Sequence, residues 1–267
     1  IYDRSGYQNV FVPPQSSWSY FVSTSMVDSD VIINEFLTSN NRGLTTQSGK
    51  HTDWIELYNK GESAVDIGGW YLTDSEDNLT KWKVPAGTIL PPDGYLVIFC
   101  DDSAESSIVN GEYFANFNLS KAGEYLALVC ADGVTIASQF APSYPPQYSD
   151  ISYDGTWYYK EPTPGQANEQ GYLEPVGEVI FSESRGYKSG PFTLTLDCAT
   201  PEAIIYYTLD GTVPTTSSIR YTEPLTIDKI TYIRALAVKE GHIDSKVVTR
   251  TWLFAEEALT QSPNTPN

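Results

Sequence analysis

The chain has 267 residues, enough for two domains with a core each, and carries 34 acids against 16 bases, a formal charge of −18. Such a surface repels a polyanion, which excludes nucleic acid as a partner, because binding it runs on clustered Lys and Arg. With 19 Tyr, 6 Trp, a single Met, Gly and Pro spread between short runs and no sustained helical period, the chain reads as all-β.

Residues 1–29 hold short aromatic runs without a repeating pattern and read as an N-terminal extension, either a linker or an extra strand. Regular alternation begins at Val31 with VIINEFLTSN. DWIELYN then places Ile55 and Leu57 on one side of a strand and Trp54, Glu56 and Tyr58 on the other, as expected for an antiparallel sheet with one dry face. NKGES turns the chain, and Gly68-Gly69 predicts a bulge or a close backbone approach before the strand Trp70–Leu72. The turns Pro91-Pro-Asp-Gly94 and Lys121-Ala-Gly-Glu124 lead into the apolar runs YLVIFC and YLALVC. A Tyr- and Pro-rich loop at 142–156 is expected to run over the surface. Strands separated by turns every ~8–12 residues suggest a β-sandwich.

The landmarks VIINEF, DWIELYN, GGWYLTD, LPPDGYLVIF, NLSKAGEYLALVCADG and PTPGQAN, in that order over about 140 residues, resemble the lamin-tail domain in its bacterial, exported form. The resemblance implies an immunoglobulin-like β-sandwich over 30–170. A second unit over 171–254 alternates in FTLTLDC, IIYYTLD, TYIRALAV and KVVTRTW, with a tight turn at Asp210-Gly211. Its strings YYTLDGTVPT, RYTEPLTI and IRALAVKEGHIDSKVV resemble the small C-terminal β-sandwich of chitobiase and related hexosaminidases. The expected fold is therefore two immunoglobulin-like β-sandwich modules in tandem. Residues 255–267, AEEALTQSPNTPN, read as a linker.

The charge is uneven. Residues 30–170 hold 20 acids against 7 bases, a net −13, while 171–254 hold 10 against 8, a net −2. Of the three cysteines, Cys100 and Cys130 end apolar runs; a disulfide between them and a pair of buried free thiols are equally open, and Cys198 leaves the count odd. Without a CxxC, and with only His51 and His242, a zinc site is not expected.

No catalytic site emerges. The resemblance to chitobiase touches only a module outside that family's active-site barrel, so no catalytic residue carries over. The acids lie mostly in turns, the histidines fall in different modules, and neither GxSxG nor a phosphate-cradling loop occurs. No cofactor is expected. The acid-rich turns DSEDN at 74–78 and DDSAE at 101–105 offer oxygen ligands to calcium, but neither has the spacing of an EF-hand loop. One candidate binding surface remains, an aromatic platform for glycans formed by Tyr144, Tyr148, Trp157, Tyr158 and Tyr159, weighed against packing of the same rings in the core.

The chain opens at Ile1, has no charged-then-apolar leader and no apolar run near the ~20 residues that span a bilayer, so membrane insertion within it is not expected. It reads as a piece of a larger secreted or cell-surface protein. The domain order resembles that of exported proteins carrying a CotH-type kinase domain, which implies a non-catalytic spacer with a protein, surface or glycan partner. Two alternatives are a carbohydrate-binding module and an accessory part of an extracellular nuclease.

Overall fold

The computed structural model describes residues 27–104 and 106–254; within them the regular elements are strands, with no helix. The first sandwich faces a seven-stranded sheet against a four-stranded one. The larger runs in the order Tyr158–Tyr159, Ser152–Tyr153, Val31–Leu37, Asp53–Asn59, Tyr95–Cys100, Glu112–Ala115, Ile108–Val109. The smaller runs Ile136–Phe140, Leu126–Val129, Tyr71–Thr73, Trp82–Lys83. Phe36, Ile55, Leu57, Leu72, Ile98, Leu126 and Leu128 fill the space between them, and Trp82 closes one side.

Parity along Val31–Leu37 changes midway. Val31 and Ile33 point into the core, and Ile33 pairs with Leu57; the next pair is Glu35 with Glu56, so Asn34 is the extra residue of a bulge. The insertion turns Phe36 inward and leaves Glu35 on the outer face, directly across from Glu56.

That outer face is not wet, which corrects the one-dry-face expectation for DWIELYN: Trp54 and Glu56 are fully buried. Two coil segments cover it. The 38–52 segment, tied down by Asn40 Nδ2 donating to Leu44 O at 2.6 Å and Thr52 O at 3.0 Å, lays Leu44 on a small cluster of Leu37, Trp54 and Phe99. The 160–169 segment, which contains PTPGQAN, lies over Glu35 and Glu56. At Gly68 the expected close approach is present, since a Cβ there would stand 2.7 Å from Gly87 N.

The 142–156 loop departs from expectation as well. Tyr144 and Gln147 point inward, at 1% and 2% exposure, and Ser152–Tyr153 adds a strand to the large sheet. A Tyr- and Pro-rich stretch can leave the surface because its rings have apolar bodies, and here its backbone is anchored by Tyr144 N to Glu124 O and Gln147 N to Lys121 O.

The second sandwich has a five-stranded sheet in the order Gly186–Lys188, Val248–Phe254, Thr231–Val238, Ile204–Thr208, Ile219–Arg220. Against it lie two hairpin-like pairs, Ile180–Phe181 with Leu196–Asp197 and Phe192–Leu194 with Leu225–Ile227. Trp252 is fully buried at the centre, with Ile205, Ile233, Ala235, Ala237 and Phe254 around it.

The two sandwiches are joined through 171–176. Tyr172 exchanges a pair of 2.8 Å backbone bonds with Tyr158, and Leu173 N and Val176 N donate to Gly241 O and Ile243 O of the second module. Ile243 itself is buried in the core cluster of the first module, near Tyr148, Ile151 and Tyr172.

Candidate functional site

Of the five aromatics expected to form a platform, three are interior. Tyr144 packs 4.8 Å from the ring of Phe36 and donates its hydroxyl to Ser120 O at 2.8 Å. Burial, helped by the Glu124 carboxylate, pushes its phenol far above the usual range. Tyr158 donates to Pro146 O at 3.1 Å and packs, tilted, 4.6 Å from Tyr153; Tyr159 donates to Asp154 Oδ2 at 2.6 Å. Both sit in an edge strand covered on both faces, and burial raises both phenols. Tyr148 is half-buried, edge-on to Tyr158 at 5.4 Å. Trp157 is 42% exposed, held by a turn in which Asp154 Oδ1 accepts from the backbone N–H of both Thr156 and Trp157 at 2.7 Å. The five do not converge on one surface; only Trp157 and Tyr148 present rings to solvent.

Tyr148 also lines a groove of about 320 Å³ between the modules, with Ile151 and Lys121 on one side, Val176 in the joining segment, and Glu178, Asp244 and Lys246 on the other side. Lys121 Nζ donates to Ser149 Oγ at 2.8 Å across its rim.

The most concentrated chemistry lies elsewhere, in the Glu35–Glu56 pair, which is fully buried. Glu35 accepts from Ser152 Oγ, from Thr163 N at 3.2 Å and from Thr163 Oγ1 at 3.1 Å. Glu56 accepts from Gly165 N and from Asn34 Nδ2 at 2.8 Å, while Asn34 Nδ2 also reaches Asn168 Oδ1 at 3.0 Å. Every partner of the two carboxylates is a donor, and three of those donors belong to PTPGQAN. Burial raises Glu35; it raises Glu56 to about 7, against the pull of the Gly165 and Asn34 hydrogen bonds and with a push from the neighbouring charge. Paired carboxylates flank a scissile bond in glycosidases, but these two are fully buried and bonded to donors of the covering segment, with no opening for a substrate. Their chemistry is that of a clasp. The sequence signal was present in NEF and IEL, where a carboxylate interrupts a run of otherwise buried positions.

A second acid group lies at the end of the sandwich. Asp53 accepts from Leu119 N at 3.1 Å and is raised to about 7 by burial, while Glu124 accepts from Ser120 N at 2.6 Å and from the Tyr144 hydroxyl at 3.0 Å. The three cysteines are free thiols, which decides between the two alternatives for Cys100 and Cys130. Cys100 is buried, and burial pushes its thiol well above the ordinary range, so it carries little nucleophilic thiolate.

In the turns considered for calcium, Asp74 pairs with Lys81 Nζ at 2.6 Å and Asp101 with Lys50 Nζ at 2.6 Å; Glu105 lies outside the described residues. Among the described residues no three His, Cys, Asp or Glu side chains group as metal ligands. Among them, too, no helix is long and apolar enough to cross a membrane.

Comparison with known proteins agrees with the two cores. A search of curated proteins finds no match for the chain. Residues 183–249 match the family model described as the Chitobiase/beta-hexosaminidase C-terminal domain, and residues 24–141 match that of the Lamin Tail Domain. With two immunoglobulin-like sandwiches whose strands overlap those stretches, the chain carries a lamin tail domain followed by a chitobiase/beta-hexosaminidase C-terminal domain.

Proposed function

We propose that this chain is a non-catalytic interaction and spacer region of a secreted or cell-surface bacterial protein, dividing at 170/171 into its two working modules and holding a neighbouring domain, of the CotH kinase type in the resemblance, at a fixed position relative to a surface partner. The observation that carries this reading is Ile243. A residue from a turn of the second module is buried in the core of the first, and the joining segment hydrogen-bonds to both, so the pair has the makings of a rigid arm. The sequestered acids support the same reading, since Glu35 and Glu56 are committed to backbone donors.

Nitrogen-15 relaxation of the two modules tests it. A rigid arm gives one overall tumbling time for both, and Ile243→Asp separates them into two faster ones. Two distinct tumbling times in the wild type would overturn the proposal.

A second reading, carbohydrate binding by the first module, is favoured by the exposed Trp157 and by Tyr148 in the inter-module groove. Affinity electrophoresis on a panel of polysaccharides tests it: Trp157→Ala abolishes retardation if that indole is the contact, and unchanged mobility of the variant excludes the site.

A further inference from the structure

The outer face of the five-stranded sheet in the second module is chemically unlike the rest of the molecule. Ile205, Ile233, Ala235, Ala237, Trp252 and Phe254 point into the core, so the alternate residues of the same strands point away from it. Register places Tyr187 beside Leu253, Tyr232 opposite Thr251, Arg234 opposite Thr249 and Thr208, and Tyr206 opposite Leu236 and Arg220. No carboxylate stands among the outward residues of these five strands, in a chain with twice as many acids as bases.

Neither arginine on this face has a carboxylate partner. Arg220 is exposed and has no carboxylate partner, whereas Lys188 and Lys239 of the same module are ion-paired. Arg234 donates from Nη1 to Gly211 O at 2.9 Å, but its Nε is buried without a partner. The Tyr232 ring packs on the same Gly211, so ring and guanidinium are fixed side by side by one turn. Tyr187 is 75% exposed and Tyr232 43% exposed. Their strands are separated by one other and the two positions are offset by two residues along them, which puts the tyrosines roughly 12 Å apart on the sheet, a span of two to three sugar units. Tyr206 and Arg220 continue the line obliquely to the opposite edge.

We propose that this face binds an anionic polysaccharide, a linear polymer of sugar rings bearing carboxylates. Tyrosine rings offer flat apolar surface for the C–H faces of sugars two or more units apart in the polymer, and the planar guanidinium of Arg220 offers a fork for a carboxylate. Charge complementarity selects this occupant: the outward residues of these strands include Arg220 and no acid, with Asp210 at the rim beside Gly211, and so attract a polyanion that the net −13 of residues 30–170 repels, directing the polymer to the second module. An exposed sheet face lets an extended chain run across its strands, from Tyr187 to Arg220, where a compact protein partner would need a surface shaped to it. The inference deepens the interaction reading above and is independent of whether the two modules tumble as one.

The test is affinity electrophoresis of the whole chain on sodium polygalacturonate, neutral dextran and poly-L-glutamate, with Tyr187→Ala, Tyr232→Ala, Arg220→Ala and Trp157→Ala. The two exposed positions, Tyr187 and Arg220, carry the test if Tyr232→Ala disturbs the fold. The expected result is retardation by polygalacturonate that fades with added salt, and that weakens about tenfold, an order of magnitude in dissociation constant, in each variant of the second module while Trp157→Ala binds normally. Equal retardation by dextran removes the requirement for charge and overturns the proposal. Equal retardation by poly-L-glutamate, untouched by the tyrosine variants, overturns it in favour of an acidic protein partner. Loss in Trp157→Ala alone moves the site to the first module, and no retardation at all overturns glycan binding while leaving the relaxation result to judge the rigid arm.

Discussion

Glu35 and Glu56 lose contact with water once the 160–169 segment lies over them, and their protonation then follows the balance of burial against hydrogen bonds. For Glu56 burial prevails: its folded value is about 7 against an ordinary 4.5. A group raised on folding favours the folded state fully below its unfolded value, and that contribution is lost as pH climbs through the folded one. Glu56 and Asp53 both therefore weaken the fold between about pH 4 and pH 7, the fully buried Glu56 by up to about 3 kcal/mol for a shift of this size. Asp101 and Asp150 act in the opposite sense, held low by hydrogen bonds and by Lys50 and Arg42, so their contribution disappears as pH falls below the ordinary aspartate range. Stability peaks in mildly acidic solution, near pH 4–5, a maximum that differential scanning calorimetry locates. In Glu56→Gln the decline between pH 5 and 7 becomes shallower. A wild-type melting temperature still rising from pH 5 to 7 would contradict the assignment.

At the scale of elements, coil segments decide which sheet faces are dry. The 142–151 loop is drawn inward by Tyr144, and it crosses so close to Gly123 that a Cβ there would stand 2.4 Å from Tyr144 O; the same residue has φ +99°. Gly123→Ala therefore meets both a backbone clash and a strained conformation, at about 2–3 kcal/mol or more, read as a lowered denaturant midpoint. The strands themselves were legible: Ile55, Leu57, Leu126 and Leu128 alternate or cluster as buried strands do, and DWIELYN and YLVIFC pair in register as adjacent strands. The bulge at Asn34 was not, because VIINEF reads equally well in either parity and only the pairing with Leu57 and Glu56 shows which residue is extra. Nor was the fate of Tyr144, Tyr158 and Tyr159. A tyrosine satisfies periodicity whether its ring lies in a core or on a surface, and the hydroxyl acceptors Ser120 O, Pro146 O and Asp154 become visible only after the chain has folded back. The Glu35–Glu56 clasp escaped for the same reason, since all its donors but Asn34 come from residues more than one hundred positions away.

For the molecule as a whole, the two sandwiches differ in charge and in what they expose. The first gathers most of the acids and keeps most of its rings inside, Trp157 excepted, while the second is nearly balanced and turns Tyr187 and Tyr232 outward. The junction joins them without a free tether. Were 171–176 unattached, six residues would give about 20 Å of reach. Instead Leu173 and Val176 are bonded to 241–243, and Ile243 sits in the neighbouring core. Tension between the modules must first peel those bonds and draw Ile243 out of its socket before the connection lengthens. The joint has no slack, so a pull on one module is transmitted to the other as displacement and not absorbed as stretch.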